Sequence, residues 1–462
     1  MPYDALRELI ALTGLPEGSA ERAHIVGNDP ALPIRYRVGA AEAAVLAAIG
    51  LTASELWALR TGRHQDVSID VRDAVASLRN SKYLKIDGAP PKRTGQQVGG
   101  FYELKDGRWF FLHCGFPHLR DNNFRVLGTT GEPEKVAAAV KTWDGFALEE
   151  AIVAGTGCGG LVRTRAEWNG HPQAQAIATL PAVEIVRIGD APPQPLPRGD
   201  RPLAGIRVLD LTRVVAGPTC ARTLAEHGAD VLKIARPGLP DSGIMELDTG
   251  VGKLSAYLDL RRPEDAARLR ELVRTGDVFS QSYRPGTLAA RGFGPEELAE
   301  LRPGIVYVTL NAWGHAGPWQ NRRGYDTVVQ AVNGIAESYS DGTKPRNLPV
   351  SAQDYIGGNL MALGAMVALL RRATEGGSWL VRASLATTGE WFIRRGLLTP
   401  EACAGAPADL PADRIDGLSK EIQAPDGLIR YLGPVLRMSE TPPRLTRPPV
   451  PLGYHAPEWP AS

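Results

Sequence analysis

LAGIRVLDLTRVVAGPTCARTLAEHGADVLKIA, residues 203–235, decides the fold. IRVLDLT (206–212) is a run of alternating β-branched and apolar residues and predicts a strand. GPTCARTLAEHGA (217–229) has helical spacing and runs into glycine. DVLKIA (230–235) predicts a second strand. Strand, helix, strand within this length is a βαβ unit, which implies parallel pairing and a right-handed crossover. Further strands are predicted at 278–283 and 305–310, with helices at 263–275 and 295–302. The expected fold class is therefore α/β: a Rossmann-like doubly wound parallel sheet with a smaller α+β domain. No GxGxxG and no Walker loop is present, so neither NAD nor ATP is supported.

Upstream, FYELKDGRWFFLH (101–113) predicts a hairpin around Asp106–Gly107, with helices near 133–142 and 146–154. Two seams rich in glycine and proline, 88–100 and 189–203, bound this part. The expected units are a helical segment 1–85, a small α+β domain 86–190, a large domain 200–393 and a proline-rich tail 394–462 that completes the large domain. The tail is expected to run across a surface without a core of its own. Residues 46–67 also align without a gap over 360–381, with Gly50 over Gly364 and Val67 over Val381. The expectation is that 36–80 repeats the helix at 350–370 in part. Position 40, opposite Asp354, is alanine.

Composition excludes several classes. Of 462 residues 43% are hydrophobic, and the net charge is +1 with no long run of one sign. That speaks against a nucleic-acid or membrane-surface protein. Four scattered cysteines and eight histidines without ligand spacing give no metal site or disulfide framework and point to a reducing cytoplasm. No signal peptide and no membrane span is expected.

SAQDYIGGNLMALGAMVALL (351–370) sets one carboxylate, Asp354, ahead of a long apolar helix. A helix N-terminus favours an anion there, and Gly357 and Gly358 would let an acyl group approach the backbone. The plainer reading of Asp354 is a helix N-cap. GYD (324–326) is a second constellation, with Asp326 as another candidate cap.

The block 203–393 resembles the family III CoA-transferases and their relatives the α-methylacyl-CoA racemases. The resemblance rests on 203–235, YLDLRRPED (257–265), SYRPGTLAARGFG (282–294), LNAWGHAGPWQNRRGYDTVVQAVNG (310–334) and 350–370, in family order and spacing. CGGLVRTRAEWNGHPQ (158–173) and LPAVEIVRIGDAP (180–192) resemble the family's small domain but precede the large one. RMSETPPRLTRPPVPLGYH (437–455) is similar to the usual C-terminus. The chain thus reads as a permuted, partly duplicated version of the fold.

The resemblance implies a CoA-transferase using acyl-CoA and a carboxylic acid as substrates, with no tightly bound cofactor, working as an interlocked homodimer. It makes Asp354 the nucleophile. Asp326 is a nearby carboxylate. Tyr325 stands where racemases carry a histidine base, and a phenol is a poor base at neutral pH. For coenzyme A it implies Val214 and Val215 along the pantetheine, with Val215 replacing a glutamine of some members. Arg236 and Arg261 would meet the phosphates. Leu258 would flank the adenine, and Ser282 and Tyr283 would lie along the pantetheine. KIARP (233–237) and TGVGKLS (249–255) depart from the family's KVExP and NRGKRS. A racemase and a CoA-binding pseudoenzyme are the competing expectations.

Overall fold

The structure is a computed structural model that describes residues 2–91, 98–240 and 242–460. The middle of the first seam, 92–97, therefore lies outside the described residues.

Seven strands form the main sheet: β1 (Glu184–Gly189), β2 (Arg207–Leu211), β3 (Asp230–Ala235), β4 (Lys253–Tyr257), β5 (Val278–Gln281), β6 (Val306–Asn311) and β7 (Ser378–Ser384). Their order is β4-β3-β2-β5-β6-β7-β1. All neighbours are parallel except β1, which runs antiparallel to β7. The doubly wound reading holds. β1 was expected to belong to the small domain; its pairing with Leu380–Arg382 instead makes it the edge of the large sheet.

Three buried helices set the site. α1 (Val38–Thr61), α2 (Ala216–Glu226) and α3 (Ala352–Thr374) pack together, α3 against both others. α3 is apolar on nearly every face because it lies between helices and sheet. α1 is long and apolar enough to cross a membrane, yet 83% of its most apolar stretch is buried inside the protein. Its contacts make it a core helix.

The two glycines after Asp354 serve helix packing, which corrects their expected role toward substrate. A Cβ on Gly358 would sit 2.3 Å from the Ala216 carbonyl, and one on Gly357 would sit 3.2 Å from Thr388 Oγ1. That space is already filled by neighbouring protein.

The small domain holds the sheet Gly100–Glu103, Trp109–Leu112 and Gly159–Leu161, with the predicted hairpin in place. The tail differs from expectation. Ser419–Ala424 and Gly427–Leu432 pair as a hairpin, which adds Lys85–Ile86 as a third strand. Arg437–Met438 pairs with Val67–Ser68. The alternation in KEIQAPDGLIRYL carries this hairpin, and it buries Ile429 and Tyr431 on a small core with Leu84 and Val251.

Candidate active site

Asp354 sits in the first turn of α3, three residues after the N-cap Ser351, so it is not the cap. Asp326 does not cap its own helix Asp326–Val332 either; Tyr325 holds that position. The Asp326 carboxylate reaches across to α3 instead. Its Oδ2 accepts from the backbone N–H of Gln353 (2.9 Å) and of Asp354 (3.1 Å). Gln330 Nε2 donates to Oδ1, and Gln330 Oε1 in turn accepts from Leu348 N at 2.8 Å. Asp326 thus takes the two first-turn amides that would have eased a negative charge on Asp354.

The electrostatics follow. Burial pushes Asp326 up to about 6, against three hydrogen bonds that favour its anion. Burial raises Asp354 well above the usual carboxylate range, and the Asp326 charge raises it further. The expected gain from the helix N-terminus is outweighed. The two carboxyls titrate as a pair.

Tyr325 is also held up by burial, with Asp354 among the charges that add to the effect. Its phenol stays protonated and can donate a hydrogen bond. Its ring stacks on His113 of the small domain, centroids 3.9 Å apart. Arg213 and Arg323 are the cations that act on this phenol.

The remaining predicted residues follow the C-terminal ends of parallel strands, where doubly wound sheets place ligands. Val214 and Val215 form the turn from β2 into α2. Val214 has φ 73°, a left-handed conformation that a β-branched residue rarely adopts. Ser282 Oγ accepts from Arg213 N at 3.3 Å. Tyr283 and Arg236 line one narrow cavity of about 10 Å³ with Arg213, Lys233 and Leu452. Leu258 is 3% exposed and packs in the core with Leu209, Leu232 and Phe279. Arg261 grips Asp259 through Nε (2.8 Å) and Nη2 (2.5 Å), which holds that carboxyl down at about 2. Arg261 therefore already has an anionic partner, whereas no carboxylate among the described residues forms an ion pair with Arg236.

His113, Phe116, Arg213, Arg323 and Gln330 belong to this neighbourhood and were not singled out from sequence. Nothing local marks them: His113 ends a plain hairpin strand, and Gln330 is one polar residue on a buried helix. No group of His, Cys, Asp and Glu among the described residues is placed to hold a metal ion.

Residues 203–409 match CoA-transferase family III. It is 31% identical to an acetyl-coenzyme A transferase of Hypoxylon pulicicidum, over 64% of this chain and 54% of that protein. It is 29% identical to an acyl-CoA transferase of Gibberella moniliformis, over 78% and 71%, and 33% identical to an acetyl-CoA:oxalate CoA-transferase of Acetobacter aceti, over 46% and 57%. The chain spans about half the length of most curated relatives it matches. A solved hypothetical protein of Mycobacterium tuberculosis aligns with TM-score 0.40 at 32% identity, over 42% of this chain and 57% of that one.

Proposed function

We propose that this protein moves CoA between an acyl-CoA and a carboxylic acid, with Asp354 as the nucleophile. The observation that carries the reading is the carboxylate pair: Asp326 pins the backbone of Asp354, and the Asp354 carboxyl beside Tyr325 has no hydrogen-bond partner among the described residues. Asp354 attacks the thioester carbonyl, the C–S bond breaks, and CoA leaves as thiolate. The product is a mixed anhydride. The thiolate attacks the Asp354 side-chain carbonyl and expels the first acid as carboxylate, which leaves an aspartyl-CoA thioester. The second acid repeats the two steps in reverse order and departs as acyl-CoA. Acyl-group energy is conserved at each exchange, so the cycle balances without ATP. Tyr325, held protonated by burial, serves as a donor to the developing oxyanion. The same property speaks against racemisation, because a protonated phenol cannot take an α-proton.

The test is to incubate the protein with acyl-CoA, trap with hydroxylamine or borohydride, and map the adduct. A label on Asp354, lost together with exchange in Asp354→Asn of intact fold, is the expected result. Near-normal exchange in that variant, or washout of an α-proton without acyl exchange, rejects the reading.

The nucleotide of CoA is assigned in this reading to Arg236, with Ser282 and Tyr283 along the pantetheine, Val214 and Val215 nearer the acyl end, and a cytoplasmic location in keeping with four free cysteines. A homodimer is part of the same proposal; light scattering near the monomer mass of 49.6 kDa at micromolar concentration rejects it.

The repeat of 36–80 gains support from hydrogen bonds. Asp29 accepts from Gly39 N (3.1 Å) and Ala40 N (2.8 Å), the counterparts of Gln353 and Asp354. Gly50 meets Val67 as Gly364 meets Val381, each with a would-be Cβ 2.5 Å from a valine methyl. The first copy would keep the clamp and lack the nucleophile. Ala40→Asp tests this: an adduct on the introduced carboxylate after acyl-CoA treatment is the result expected of a site that lacks only its nucleophile, and its absence in a variant of intact fold contradicts the reading.

A further inference from the structure

The small domain presses one loop against Tyr325, and the exchange chemistry above leaves that loop unused. His113 follows the strand Trp109–Leu112, and Phe116 caps the helix Pro117–Leu127. The His113 imidazole lies flat on the Tyr325 phenol, with planes 9° apart and centroids at 3.9 Å. Phe116 is 5.8 Å from the same phenol and 6.5 Å from the imidazole. Arg213, from the turn that carries the strained Val214, covers the Phe116 ring at 5.4 Å. Three rings and a guanidinium thus join the small domain to the Tyr325 segment and to the turn from β2 into α2.

The stack is tightly fitted. Gly115 leaves the space for it, since a Cβ there would lie 3.1 Å from His113 Nε2. That nitrogen is buried and has no partner among the described residues. Burial also keeps the imidazole neutral, with its pKa lowered to about 4. His113 therefore meets Tyr325 as a neutral ring near neutral pH. What the site receives from His113 is a flat, uncharged ring.

We propose that His113 is a positioning residue whose ring fixes the plane of Tyr325, and with it the direction in which the phenol O–H is presented to the Asp354 site. The small domain then belongs to the catalytic machinery and does more than cover it. This inference rests on the Asp354 reading of the preceding subsection. The phenol does the chemistry, and the histidine acts through the phenol.

Four variants separate this from a merely structural role. His113→Ala removes the ring and should slow turnover by about tenfold or more, as small misplacements in active sites do. The KM for acyl-CoA should stay within about threefold, because ground-state binding is untouched. His113→Phe keeps a flat ring and removes the unpaired nitrogen, so it should run within about threefold of the parent and be no less stable. In a Tyr325→Phe background, His113→Ala should add nothing further, since the group it positions is gone. Equal defects in His113→Phe and His113→Ala overturn the proposal. So does a full, additive loss in the double variant. A readout independent of turnover is 13Cζ-tyrosine NMR, with the Tyr325 resonance identified by its absence in Tyr325→Phe. It should shift, and titrate closer to an ordinary phenol, in His113→Ala but not in His113→Phe. If the parent shows no CoA exchange, the functional reading fails while this resonance still decides the positioning. An unmoved resonance in an active protein sinks the positioning alone.

Discussion

Asp354 and Asp326 illustrate how two carboxylates become different through their neighbours. Asp326 has three hydrogen-bond donors, and the Asp354 side chain has none among the described residues while bearing the charge of Asp326. In the proposed exchange Asp354 attacks as the anion, so the rate should rise with pH and fall on acidification. Asp326→Asn deletes the neighbouring charge but keeps an amide oxygen to accept from α3. The Asp354 carboxyl should then drop, and the acid limb of the kcat/KM profile should move to lower pH. A limb that stays in place, or moves up, contradicts the coupling. Asp354 was legible in the sequence because it is the one charge ahead of an apolar helix. The clamp was not, because a carboxylate in GYD and two amides 27 and 28 positions later meet only through tertiary packing. For the same reason Asp326 reads locally as the cap of the wrong helix.

Among the elements, the contact of α1 with α3 carries a second buried acid. Glu42 Oε1 accepts from Asn359 Nδ2 at 2.6 Å, and its Oε2 has no partner among the described residues. Burial pushes this carboxyl from 4.5 up to about 8. Between those values the folded protein keeps a proton that the unfolded chain releases. Stability therefore falls as pH rises through that window, by up to about 1.4 kcal/mol per pH unit, and levels off above it. Glu42→Gln keeps the oxygen that accepts from Asn359 and cannot ionise. Denaturant titrations at pH 5.5 and 7.5 should show a smaller loss across the interval for the variant than for the parent; identical losses would show that Glu42 is not the source. The apolar run of 351–370 announced α3 as a buried helix, its partial repeat announced α1, and the βαβ run announced α2 and the sheet. Glycines that read as room for a ligand were room for another helix, a distinction that only the crossing of α2 and α3 makes.

On the scale of the whole molecule, the tail locks parts of the chain that are far apart in sequence. It was expected to run across a surface without a core of its own because 394–462 is rich in proline, yet proline is sparse where KEIQAPDGLIRYL forms its hairpin. The final stretch does run over the surface, and there it guards an edge. β4 is the outer strand of the main sheet. His455 N donates to Ser255 O at 2.7 Å, and Ser255 N donates to His455 Nδ1 at 3.2 Å, so one residue fills both sides of the open ladder. Gly453 N adds a bond to Ser255 Oγ at 3.1 Å, and Trp459 Nε1 donates to the Leu272 carbonyl at 3.3 Å. Gly453 has φ 75°, and its missing Cβ would collide with the Tyr257 ring, so only glycine lets the chain lie this close. An unguarded edge invites pairing with another chain. Removing residues 451–462 should lower stability by a few kcal/mol, since these four hydrogen bonds and the one from Arg268 Nε to the Pro457 carbonyl (2.9 Å), at roughly 0.5–1.5 kcal/mol each, are lost along with apolar cover. It should also promote concentration-dependent association through β4. The decisive pair of measurements is a denaturant midpoint and light scattering over a concentration series. An unchanged midpoint with no new association means that the tail does not guard β4. Association that a proline at Ser255 suppresses, since proline has no N–H for the ladder, ties it to that strand.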